Sequence, residues 1–127
     1  MPFVHDDILD AALNILNNNA DRIDICSQEP ANYTQASSTY SLGVKDHGAA
    51  GSSFGAPADR TPTGRKVSST AVTDGAVTAT DEATHYAVSD TANSKLLVAN
   101  DLDESQEVTN GNTFTLPSFD VGIPDAA

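Results

Sequence analysis

His85-Tyr86-Ala87-Val88-Ser89, then Asp90-Thr91-Ala92-Asn93-Ser94, then Lys95-Leu96-Leu97-Val98-Ala99-Asn100: this stretch decides the fold. Tyr86 and Val88 fall on one face of an extended chain, so the first run reads as a strand. The middle five residues carry turn chemistry, because Asp, Asn and Ser hydrogen-bond their own backbone. Leu96 to Ala99 is a continuous apolar run, which predicts a strand buried on both faces and therefore central. The same grammar extends outward from about residue 65 to the end. Arg65 to Val72 reads as a strand turned by Asp74-Gly75 into Ala76 to Thr80. A turn is expected at Asn100 to Glu104. Gln106 to Thr109 and Thr113 to Leu116 flank Asn110-Gly111, the clearest hairpin signal in the chain. Phe119, Val121 and Ile123 alternate with Asp120 and Gly122 in a last strand between Pro117 and Pro124. Short strands with such turns predict a mainly β protein, an antiparallel β-sandwich of roughly six to eight strands.

The N-terminal part reads differently. Met1 to Val4 is a short apolar arm. Asp6 to Asn18 predicts the one helix: Ile8, Ala12 and Ile15 lie on one face, with Leu9, Leu13 and Leu16 beside them. Asp6 and Asp7 sit where a helix N-terminus favours negative charge. Asn17, Asn18 and Asn19 stop it. Arg22 to Ser27 is the first strand, with Ile23 and Ile25 pointing one way and Arg22, Asp24 and Cys26 the other. Residues 31–63 are rich in Ser, Thr, Ala, Gly and Pro, with isolated Tyr33, Tyr40, Leu42 and Phe54. A long segment of this kind is functional or disordered more often than not. It is expected to be an extended arm that orders against a neighbour, its four large side chains acting as partner-binding anchors. Within it, Tyr40 to Val44 forms a short strand or a turn. The chain is thus one domain: arm and helix at 1–20, extended loop at 31–63, hairpin region at 64–127. Leu9, Leu13, Leu16, Ile23, Ile25, Leu97, Phe119 and Val121 are the expected core.

Composition narrows the function. The 127 residues carry 18 Asp and Glu against 6 Lys and Arg, a net charge of −12. Such a chain repels phosphate backbones, so no nucleic-acid partner is expected. Arg60, Arg65 and Lys66 are the one basic cluster. An acidic surface suits a basic protein partner, or weak Ca²⁺ binding. Cys26 is the single cysteine, which rules out an internal disulfide; it reads as a small buried hydrophobe. No stretch approaches the ~20 apolar residues of a membrane helix. No leader segment is read at the N-terminus, and synthesis in the host cytoplasm is expected.

No constellation carries chemistry. His5, His47 and His85 lack ligand spacing, so no metal is expected. Asp101, Asp103 and Glu104 lie together, but the later ligands of a Ca²⁺ loop are missing. The glycines of 43–55 lack the Lys-Ser/Thr ending of a phosphate loop. No nucleophile elbow occurs. The expectation is no enzyme, no catalytic residues and no cofactor.

One resemblance adds to this. The helix, then Arg22-Ile23-Asp24-Ile25-Cys26-Ser27-Gln28-Glu29-Pro30, Tyr40-Ser41-Leu42-Gly43, Gly64-Arg65-Lys66-Val67, Ala83-Thr84-His85-Tyr86-Ala87-Val88 and Phe119-Asp120-Val121-Gly122-Ile123-Pro124, resembles small virion proteins of tailed bacteriophages. Capsid decoration (cement) proteins fit best. The resemblance implies a β-rich homotrimer on the outer surface of the capsid, with the major capsid protein as partner. A head-spike, tail or fibre subunit, or a carbohydrate- or receptor-binding β-module, is the alternative.

Overall fold

The two halves of the sequence meet in β1 (Arg22–Cys26). It pairs antiparallel on one side with β2 (Ser41–Asp46) and on the other with β6 (Asp81–Asp90). Both backbone edges of β1 are thus paired, and its last four residues are all buried. The structure, a computed structural model, describes residues 4–48 and 53–124. The expected apolar arm at Met1–Val4 therefore falls almost wholly outside the described residues, as does the middle of the glycine-rich segment, at 49–52.

Among the described residues, nine strands form two antiparallel sheets, a sandwich with one α-helix against it. The remaining strands are β3 (Ala58–Asp59), β4 (Arg65–Ser68), β5 (Val72–Val77), β7 (Lys95–Val108), β8 (Thr113–Leu116) and β9 (Asp120–Ile123). The six-stranded sheet runs β7-β6-β1-β2-β5-β8, and the three-stranded sheet runs β3-β4-β9. Helix α1 (Asp6–Asn19) is capped by the His5 side chain, which accepts from the Asp7 N–H at 3.1 Å. It packs on β4 and β9 and buries Leu9, Leu13 and Leu16. Leu13 and Leu16 join Ile23, Ile25, Val67, Val72, Val77, Val88 and Phe114 in a single core. Phe119 and Val121 pack on that core partly buried, as does Leu97.

The hairpin over Asp90–Ser94 forms as expected, joining β6 to β7, with Ser94 at φ 52°. Other expectations need correcting. β7 is an edge strand, not a central one; in its apolar start Leu97 and Val98 pack partly buried on the main core, and Leu96 packs on a second cluster around Cys26. Asn100–Glu104 is no turn, because β7 runs through it to Val108. The strand expected over Arg65–Val72 breaks at 69–71 and serves two sheets, β4 in one and β5 in the other. Asp74-Gly75 lies inside β5 at an irregularity in its pairing with β8. The reason is Phe114: a Cβ on Gly75 would sit 2.2 Å from its ring, and one on Gly43 would sit 3.0 Å away. Both glycines make room for that ring, which is 4% exposed. Glycine here serves close approach rather than a turn.

Asn110-Gly111 does turn the chain, with Gly111 at φ 92°. Its flanking strands do not pair with each other; they are the opposite edges of the six-stranded sheet. Five Cα steps span at most ~19 Å, whereas five strand spacings in a flat sheet come to ~24 Å. The sheet is therefore curled so that its edges approach at this end. Val77 holds the turn, donating to the Asn112 carbonyl and accepting from the Gly111 N–H, both at 3.0 Å.

The segment at 31–63 is not a free arm where it is described. It supplies a single π-helical turn (Gln35–Thr39), an interior strand of the larger sheet (β2), and Phe54, which is bridged to Ser69 and buried.

Candidate functional site

The curled sheet does not close along its whole length. β7 and β8 each have one strand neighbour, so each presents an unpaired edge. Between them lies a slot of about 240 Å³, lined by Tyr86, Leu102, Leu116, Pro117, Ser118 and Phe119, with Asp101, Asp103, Glu104 and Gln106 on the β7 side. Tyr86 and Phe119 line it, and Phe54 packs on Phe119 outside the lining. Phe119 packs 4.1 Å from Tyr86 and edge-on, at 5.8 Å, to Phe54. Burial raises the Tyr86 phenol above its ordinary range. Ser69 fixes this corner: its hydroxyl accepts from the Phe119 N–H, and its carbonyl accepts from the Ser118 hydroxyl.

A second depression, of about 330 Å³, lies between α1 and the strands. Ala12, Leu13, Ile15 and Leu16 face Leu96, Leu97, Val98, Val121 and Ile123 across it. Ile15 is 50% exposed at its rim, and Ile8, two turns back, is 65% exposed. The helix buries the three leucines expected in the core and leaves both isoleucines on the outside.

Beside the slot, β6 and β7 bring together a group that spacing did not reveal. His85 Nε2 lies 2.7 Å from Asp101 Oδ1, and His85 Nδ1 lies 2.8 Å from the Thr84 hydroxyl. Hydroxyl, imidazole and carboxylate in series resemble a nucleophile, its base and an orienting acid. The Thr84 hydroxyl, however, also lies 3.0 Å from the Ser27 carbonyl, to which it donates. Donation there directs its proton away from the imidazole, so the group ties β6 to the end of β1. The cross-strand pairing of His85 with Asp101 was not legible because it depends on the β7 register.

On the face of β1 opposite the main core, Asp24 and Cys26 are buried and Arg22 is partly exposed. Asp24 accepts from Arg22 at 2.7 and 2.9 Å and from the Ser41 hydroxyl at 2.6 Å. Arg22 also donates to the Ser37 carbonyl at the π-helical turn. Burial pushes the Asp24 carboxyl up from its ordinary range against these bonds, while the bond to Asp24 raises Arg22. Cys26 packs beneath the same turn with Ala36 and Ala87 and lies 3.6 Å from the Ala36 carbonyl. Burial raises its thiol to about 12, which favours the protonated form near neutral pH.

The expected partner-binding residues separate into two pairs. Leu42 and Phe54 are 5% and 4% exposed and belong to the chain's own core, so they are not anchors for another molecule. Tyr33 and Tyr40 are half-buried around the π-helical turn, and Tyr40 packs on the small cluster of Cys26. Among the described residues, no three His, Cys, Asp or Glu side chains converge as a metal set, and no helix is long and apolar enough to cross a membrane. Comparison with known proteins returned no matching family, no matching curated protein and no matching solved structure.

Proposed function

We propose that this protein is a non-enzymatic virion subunit, a capsid decoration or cement protein that stabilises the lattice of a phage major capsid protein from outside. The observation that carries the reading is the outward strip of α1. Ile8 and Ile15 stand exposed along a helix whose other apolar side already fills the core. A solvated helix face would carry charge there, and an exposed apolar strip marks a contact surface. The buried polar groups support the same reading: Asp24, Arg22 and Ser41 satisfy one another, and Ser69 holds the Phe119 corner. The −12 charge suits a surface turned away from nucleic acid. Repeated weak contacts across a lattice would supply avidity without a deep pocket. The homotrimer belongs to this proposal and rests on the resemblance to decoration proteins.

The test is reconstitution. Particles stripped of the protein are mixed with purified wild type or with Ile8→Asp/Ile15→Asp, and occupancy is read by cosedimentation and cryo-electron microscopy. Sedimentation velocity of the free protein reads the trimer. Wild-type density on the capsid surface, reduced at least ~10-fold in the variant, is the expected result. Density on the tail would replace the capsid reading with a tail or fibre subunit. Equal occupancy of wild type and variant would remove α1 from the interface.

A further inference from the structure

We infer that the slot between β7 and β8 receives an extended segment of a different protein chain, one alternating apolar with cationic residues, added as a strand along β7. This deepens the proposed role as a protein-binding subunit and rests on it. The outer edge of β7, unpaired among the described residues, borders a gap whose far wall is Leu116 at the end of β8 and the segment 117–119 after it. An unpaired edge is a template for strand addition, in which backbone bonds give affinity and side-chain pockets give selectivity. Leu102, Leu116 and Phe119 line the gap and would accept the apolar side chains of every second residue.

The charge of the rim identifies the occupant. Asp103 and Glu104 are exposed and lie on the gap, and neither forms an ion pair among the described residues. Successive residues of β7 point to opposite faces, so a lysine or arginine on the incoming strand would lie opposite Asp103, on the face away from Leu102. A second copy of this chain cannot supply such a segment. Of its 6 basic residues, Arg22, Lys45, Arg65 and Lys66 are already paired with Asp24, Asp74, Asp10 and Asp120. That leaves Arg60 and Lys95, far apart in sequence. The partner is therefore a chain more basic than this one.

The experiment titrates the ¹⁵N-labelled full chain with a capped heptapeptide alternating lysine and valine. Controls are the same peptide with glutamate for lysine, and with serine for valine. Shift changes confined to 101–107 and 113–119, at least ~5-fold weaker binding in Asp103→Asn/Glu104→Gln, and loss of binding by both control peptides are the expected result. No saturable binding of the lysine–valine peptide would overturn the inference. So would changes centred on α1, or undiminished binding of the serine control, which would reveal charge attraction alone. Particle occupancy is measured separately, so failure here leaves the decoration proposal to its own test.

Discussion

Arg22 and Asp24 sit on the same face of one strand and close a two-bond ion pair, 2.7 and 2.9 Å, over a carboxylate with no solvent exposure. The pair forms within a single strand because residues two apart share a face. Ser41 on β2 and the Ser37 carbonyl complete it, so the pair ties β1 to β2 and to the π-helical turn. Asp24 remains above its ordinary range, which means that burial costs the carboxylate more than its partners return.

Removing one partner should therefore be far worse than removing the charge. Arg22→Met strands a buried carboxylate and should cost about 3–5 kcal/mol. Asp24→Asn retains the shape and part of the hydrogen bonding and should cost clearly less. Urea denaturation of both variants reads the difference; equal losses would show that the ion pair has no special role.

Gly75 and Phe114 are the second coupled pair. Gly75→Ala forces a Cβ into the Phe114 ring and should cost about 1–3 kcal/mol. In the background Phe114→Leu, the same change should cost measurably less. A double-mutant cycle with zero coupling would show that the irregularity in β5 has another cause.

The two sides of α1 should respond in opposite ways. Leu13 is 2% exposed, and Leu13→Ala should cost about 2–5 kcal/mol. Ile15, half exposed, should change stability by no more than ~0.5 kcal/mol on replacement by alanine. Thermal unfolding of the two variants separates a core position from a contact position.

His47 gives a pH signature. Burial, with Lys45 nearby, lowers its imidazole below the ordinary range, and its Nδ1 lies 3.0 Å from the fully buried Ser53 hydroxyl. The fold favours the neutral ring, whereas the unfolded chain takes a proton near ~6.5. This contribution is present above that value and is lost as the pH falls through it towards the folded pKa. His47→Gln should show a smaller loss of urea midpoint than wild type between pH 7.5 and 5. Parallel pH dependences in the two proteins would exclude His47 as the source.

Local signals were legible where local chemistry decides. The α1 boundaries, the Asp90–Ser94 turn, β1 and the alternation of Phe119 to Ile123 all follow from residues within a few positions of one another. Legibility failed where a distant side chain decides. Asp74-Gly75 has the composition of a turn, yet Phe114, far along the chain, needs the glycine for its ring. Phe54 stands alone among small residues, and Leu42 lies in a run too short to tell a strand from a turn, so nothing near them reveals the core they join. Leu96–Val98 has the pattern of a central strand because its side chains pack on two clusters, Leu97 and Val98 on one and Leu96 on the other, and an apolar run does not say whether another strand pairs beside it. The slot was invisible for the same reason: it is made by the edge of β7 and the end of β8, which meet only when the sheet curls.

The position of β1 between its neighbours sets an order of events during synthesis. Ile23 pairs with Val88 and Ile25 with Tyr86, so β1 lacks one of its two flanking strands until most of the chain has been made. Helix α1 also waits, because the β4 and β9 surfaces it covers lie later in the sequence. Contacts this distant slow folding and lengthen the time that apolar strands stay uncovered. The β6–β7 hairpin is the long local pairing, and β1 needs it to complete its second edge. A truncation that ends before residue 81 would therefore leave β1 with an open edge and the leucines of α1 incompletely covered, a species prone to aggregate rather than to pause as a folded half.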